Sequence, residues 1–152
     1  MRVPWASVRG HVSLTTEGLD LEIDRLLARN LSGTAEAHVG WGKGATLDLS
    51  VDLDSADLAL LRPFAQLKPE GKGRVQAHVF GPYKALQARA NLDVRGLGML
   101  GIRWADRARA ELVATHLRDL EFRRFRAQQG ESVVQGNIAV HVREPLTLEM
   151  DI

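Results

Sequence analysis

The sequence predicts an all-β chain with one short helix, its antiparallel strands forming either a packed sandwich or a long, curled sheet, half open like a groove. Three observations predict it. Apolar and polar residues alternate through most of the 152 residues, the period of a strand with one dry face and one wet face. Glycine-bearing turns separate these stretches at short spacing. One seven-residue phrase recurs in near-copies, Gly33-Thr-Ala-Glu-Ala-His-Val39, Gly73-Arg-Val-Gln-Ala-His-Val79 and Gly136-Asn-Ile-Ala-Val-His-Val142. Such repetition means that a single structural unit is laid down several times, which suits a wall or groove better than a catalytic pocket.

Val8, Gly10, Val12 and Leu14 alternate with polar residues, and Thr16-Glu-Gly18 turns the chain into Leu19, Leu21 and Ile23. A hairpin is expected there. Residues 26–31 read as a further short strand. The first repeat then presents Ala35, Ala37 and Val39, and the loop after Trp41 returns into Leu47, Leu49, Val51 and Leu53. At 54–69 the rhythm breaks. Asp54-Ser55-Ala56-Asp57 offers a helix N-cap with acid in the first turn, and Leu58, Leu61 and Ala65 follow near helical spacing. Pro63 and Pro69 hold that helix to two or three turns.

β-Structure resumes with Val75, Ala77 and Val79, and Gly81-Pro82-Tyr83 makes a turn. Leu86, Ala88, Ala90, Leu92 and Val94 alternate with Gln87, Arg89, Asn91 and Asp93, the cleanest amphipathic stretch of the chain. Ile102 and Trp104 begin another strand. Residues 106–115 carry helix-forming residues, but Ala108, Ala110 and Leu112 recur with period two, so a strand is expected. Leu117, Leu120, Phe122 and Phe125 continue the pattern to a turn at Gly130. The third repeat contributes Ile138, Val140 and Val142, and after Glu144-Pro145 come Leu146, Leu148, Met150 and Ile152. The whole reads as one segment, 1–152, with approximate sub-repeats 1–53 and 70–152 joined by the helical turn at 54–69.

Composition excludes several classes. The 20 basic and 19 acidic residues are interspersed and give a formal charge of +1, so no nucleic-acid footprint is visible. The basic cluster Arg118, Arg123, Arg124 and Arg126 reads as a solvated strand face. Without cysteine there is no thiol chemistry, cysteine metal site or disulfide. No apolar run approaches the roughly 20 residues that span a bilayer as a helix, and no leader precedes the first strand.

The named apolar residues from Ala35 to Leu148 form one face. Either it is the core of a sandwich, or it is an exposed wall that holds acyl chains. The alanines favour the wall, because they leave the face shallow where a sandwich core wants bulk.

Leu53-Asp-Ser-Ala-Asp-Leu-Ala-Leu-Leu-Arg-Pro-Phe64, followed by Gly71-Lys-Gly-Arg-Val-Gln-Ala-His-Val-Phe-Gly-Pro82 and Leu86-Gln-Ala-Arg-Ala-Asn-Leu-Asp-Val-Arg-Gly-Leu97, resembles the TamB and AsmA-like family. The similarity covers roughly residues 47–120, with flanks alike in pattern only, and its motifs are degenerate. The resemblance implies a β-taco with an apolar interior in the bacterial periplasm, within a larger inner-membrane-anchored protein. It also implies phospholipid acyl chains as cargo, a role in outer-membrane biogenesis, and an outer-membrane BamA-like barrel as partner. The family's N-terminal anchor and C-terminal domain are not in this sequence, so an internal slice is expected, attached to membranes through regions outside it. The alternative is a structural or chaperone-like β-domain assisting outer-membrane protein assembly, with the apolar face as its core.

Neither catalysis, a metal nor a cofactor is expected. His38, His78 and His141 fall at the sixth position of the repeat, out of phase with its apolar residues, and His11 and His116 lack partners at ligand spacing. Gly96-Leu-Gly-Met-Leu-Gly101 spells a dinucleotide fingerprint without its βαβ context, and Gly40-Trp-Gly-Lys-Gly44 is equally isolated. Asp20, Glu22 and Asp24 share a solvated strand face. Trp5, Trp41 and Trp104 read as core or rim aromatics.

Overall fold

A computed structural model describes residues 7–28, 31–61, 69–99, 101–115, 119–141 and 147–151. It is a single antiparallel sheet of ten strands in the order of the chain. The strands are β1 (Ser7–Leu14), β2 (Gly18–Ala28), β3 (Leu31–Gly40), β4 (Thr46–Asp57) and β5 (Pro69–Pro82). The second half adds β6 (Gln87–Met99), β7 (Ile102–Thr115), β8 (Asp119–Gln129), β9 (Ser132–His141) and β10 (Thr147–Asp151). Each strand pairs only with its sequence neighbours, so β1 and β10 are open edges among the described residues.

The hairpins are closed by local chemistry. At the first, the Thr15 Oγ1 accepts the backbone N–H groups of Glu17 and Gly18 at 3.2 and 3.0 Å. In the loop between β3 and β4, Trp41 donates its indole N–H to the Thr16 carbonyl at 2.8 Å, tying two loops together at the rim.

Three expectations need correction, the first two because a β-bulge re-phases the chain. Residues 26–31 are not a separate strand. The β2 register slips between Ile23 and Leu26, so Leu26 and Ala28 finish β2 while Leu31 opens β3. Residues 54–57 are not the start of a helix: they continue β4 across a bulge between Leu53 and Ala56. The helical turn that follows is a four-residue 3-10 turn, Leu58–Leu61, where the Asp57 carboxylate accepts the Ala59 N–H at 2.9 Å. Leu86 lies outside a strand, between a second 3-10 turn (Tyr83–Ala85) and β6. Residues 102–104 and 106–115 form one strand, β7. Trp5, His116, Leu117, Arg118, Val142, Leu146 and Ile152 lie outside the described residues.

The bulges explain the glycine that begins the repeat. A Cβ on Gly33 would overlap the Asp52 carbonyl oxygen, and one on Gly73 would overlap that of Asp93. At these points the neighbouring backbone swings inward and only hydrogen fits. Bulges on β2, β4, β6 and β8 bend the sheet in the same region of successive hairpins, which curls it.

Candidate functional site

The register assembles the alternating residues into rows that run across the strands. One row passes through Val12, Leu21, Ala37, Leu49, Val79, Ala88, Ala114, Leu120, Val140 and Leu148 without a polar position. The next runs through Gly10, Ile23, Ala35, Val51, Ala77, Ala90, Leu112, Phe122, Ile138 and Met150. Flanking these, Leu53, Val75, Leu92 and Ala110 form a shorter row, as do Leu14, Leu19, Val39 and Leu47. Val94 and Ala108 pair in a fifth. At about 4.8 Å per strand, a row crossing ten strands is about 43 Å long.

Among the described residues nothing covers this face. Only Ala56, Val94, Ala105, Ala108 and Ala114 are buried hydrophobics among the described residues, and none of the large side chains is fully buried. The accessible surface is 11194 Å² for 16.8 kDa, where a compact monomer of that mass exposes about 7,700 Å². A second layer would have removed that excess. The row residues on β2 to β8 are mostly half-buried while the opposite face is mostly exposed, the asymmetry of a sheet curled toward its apolar side. No second sheet packs on it, so a sandwich core is absent from the described residues.

The opposite face is a lattice of cross-strand charge pairs. Asp93 accepts two hydrogen bonds from Arg107, at 2.9 and 2.6 Å, and a third from Arg109 at 2.9 Å. The Arg107 guanidinium, helped by Arg109, holds the Asp93 carboxyl down at about 2 against a smaller opposing effect of burial. Arg74 and Gln76 do the same for Asp52, at 2.9 and 2.8 Å, and its carboxyl also lies below the usual range. Of the predicted basic cluster, Arg123 pairs with Glu121 and Arg124 with Glu111, each at 2.6 Å.

Two of the repeat histidines, His38 and His78, belong to this wet face. The His38 Nδ1 meets Asp20 at 2.5 Å and the His78 Nε2 meets Asp48 at 2.8 Å, both exposed. Phe80 is the residue that sequence reasoning missed. It shares the polar face with His78, whose ring stacks on it at 4.7 Å, and the Arg89 guanidinium lies 5.8 Å from its centroid. The signal was present in the sequence: Phe80 is an aromatic out of phase with Val75, Ala77 and Val79.

Three depressions of about 460, 950 and 380 Å³ open among these polar side chains. The first lies between His78, Gln76, Arg89 and Asn91, above the backbone of Ala77 and Ala90. Residues of the apolar rows also line them, Ala35, Val51, Ala77, Ala90 and Leu112 in the first, Phe122 and Ile138 in the second, and Leu21 and Ala37 in the third. No group of three His, Asp or Glu residues able to hold a metal occurs among the described residues.

Of the predicted lining residues, Ala35, Ala37, Val39, Leu47, Leu49, Val51, Val75, Ala77, Val79, Ala88, Ala90, Leu92, Val94, Ala108, Ala110, Leu112 and Ile138 stand on the apolar face, as their register shows, and Val140 and Leu148 occupy apolar-row positions. Comparison of the chain with family models, with curated proteins and with solved structures gave no match.

Proposed function

We propose that this chain is a segment of a bacterial envelope protein whose apolar β-groove carries phospholipid acyl chains between the inner and outer membranes, without catalysis. The observation that carries this reading is the pair of unbroken apolar rows on a face that no second layer covers. Each buried methylene contributes about 0.8 kcal/mol, so a lipid tail laid along a row gains from many similar contacts. The small side chains at Ala35, Ala77, Ala88 and Ala90 leave the wall shallow and unobstructed. Contacts of nearly equal strength along a row hold a tail without fixing it at one position. In this reading the protein works in the periplasm, and its membrane attachment and any barrel partner involve other regions.

The test is direct. Delipidated protein is titrated with a fluorescent fatty acid and examined by native mass spectrometry after expression in a bacterial host. The proposal expects saturable probe uptake, co-purifying lipid, and about a tenfold weaker uptake in Ala90→Asp with the β-sheet circular dichroism retained. No uptake by the folded wild type, with Ala90→Asp simply unfolding, sinks the groove and makes the apolar face a core.

A further inference from the structure

The two open edges of the sheet match each other. All eight residues of β1 are exposed, and its apolar positions Val8, Val12 and Leu14 are 59%, 67% and 73% accessible. Among the described residues no strand pairs with the outer edge of β1, and an edge of this kind is a template for another strand. Natural edges carry devices that prevent such pairing, such as proline or an inward-pointing charge. The apolar positions of β1 carry neither.

The rows say which strand fits. Val12 and Leu148 are the two ends of one apolar row, and Gly10 and Met150 are the two ends of the next. Ten antiparallel strands leave β10 running opposite to β1. A second copy in the same orientation therefore offers its β1 antiparallel to β10, with the same face up. Continuing the rows sets Val12 against Leu148 and Gly10 against Met150. The intervening positions then follow without freedom: Ser13 against Thr147, His11 against Glu149 and Arg9 against Asp151. The polar face of β1 is basic at Arg9 and His11, while the polar register positions of β10 are acidic at Glu149 and Asp151. Continuing the apolar rows thus sets two basic residues against two acidic ones, an agreement between two independent properties of the edges.

We propose that the chain assembles head to tail, β1 of one copy adding antiparallel to β10 of the next in this register, so that the apolar rows run on from copy to copy. The interface is heterologous, each copy using one edge for each neighbour. It does not depend on lipid binding.

The chain has no cysteine, which permits a clean cross-linking test. Directly opposed residues in an antiparallel pair have Cα atoms about 4.5–5.5 Å apart, within disulfide reach. Val12→Cys and Leu148→Cys are made as separate delipidated proteins, checked for fold by circular dichroism, and oxidised alone and mixed. Ser13→Cys with Thr147→Cys is the second pair should the first perturb folding. Disulfide dimers are expected in the mixture and not in either protein alone. Adding Arg9→Glu to the first protein should cut the yield about threefold, and adding Asp151→Arg to the second should restore it.

Dimers from Val12→Cys alone would show a two-fold edge contact and overturn the proposal. So would an internally bridged monomer in a protein carrying both Val12→Cys and Leu148→Cys, which would mean that the sheet closes on itself. Absence of any cross-link in folded protein would likewise overturn the proposal.

Discussion

Asp93 on β6 receives Arg107 through a two-toothed contact at 2.9 and 2.6 Å, although the residue directly opposite it on β7 is Arg109. The diagonal reach brings both arginines onto one carboxylate and staples these two strands on their wet side. This is the strongest charge cluster on the polar face, and it lies behind Leu92 and Val94 of the apolar rows.

The sign of its pH dependence follows. The folded carboxyl lies at about 2 against an unfolded value of 3.8, so Asp93 contributes stability that is fully present above the unfolded value. That stability is lost as pH falls toward 2. Thermal melts between pH 5 and pH 2 are expected to show a falling midpoint in the wild type. Asp93→Asn should lower stability by about 1 kcal/mol at neutral pH and flatten the acid limb. An unchanged slope in the variant would place the acid sensitivity elsewhere.

Gly73→Ala tests the bulge. Its Cβ has no space beside the Asp93 carbonyl, so the strand must shift, at a cost of about 1–3 kcal/mol in urea denaturation. Gly42 has open space around it and a φ of +93°. Gly42→Ala should therefore cost only the backbone strain, about 1 kcal/mol. Equal effects of the two substitutions would remove close strand approach as the reason for the repeat glycine.

Ala90→Leu separates an open wall from a packed core. On an uncovered face the added carbons meet solvent and half-buried neighbours, and stability should change by less than about 0.5 kcal/mol. In a packed core the same change costs about 1–3 kcal/mol. Chemical denaturation distinguishes the two.

His38→Ala should be nearly silent. Its partner Asp20 is as exposed as the histidine itself, and surface ion pairs contribute about 0–1 kcal/mol. Fatty-acid uptake should stay at the wild-type level, because His38 stands on the face opposite the rows. A loss of uptake at constant stability would give the histidine a role that its position does not suggest.

Of the candidate site, the face of each residue was legible and the arrangement of the face was not. Ala35, Ala37, Ala88 and Ala90 announce their side of the sheet by alternation alone, since successive strand residues point in opposite directions. That Ala37 neighbours Leu49, or that Ala77 neighbours Ala90, depends on register between strands. Register depends on turns and bulges, and these are where the reading failed. The slip before Leu26 looked like a new strand, and the one after Leu53 looked like a helix cap. A bulge breaks the local period that sequence reasoning relies on.

By itself, then, the sequence determined that this chain is all-β, that its strands carry one apolar face, and that His38 and His78 lie on the other. The physical reason is that period two is a local property of the backbone. Only the tertiary structure decided that the strands form one uncovered sheet rather than two packed ones, that Asp93 collects two arginines, and that the rows of β1 and β10 end in matching edges. Each of those depends on the register of hydrogen-bond pairing between strands, which no local pattern encodes.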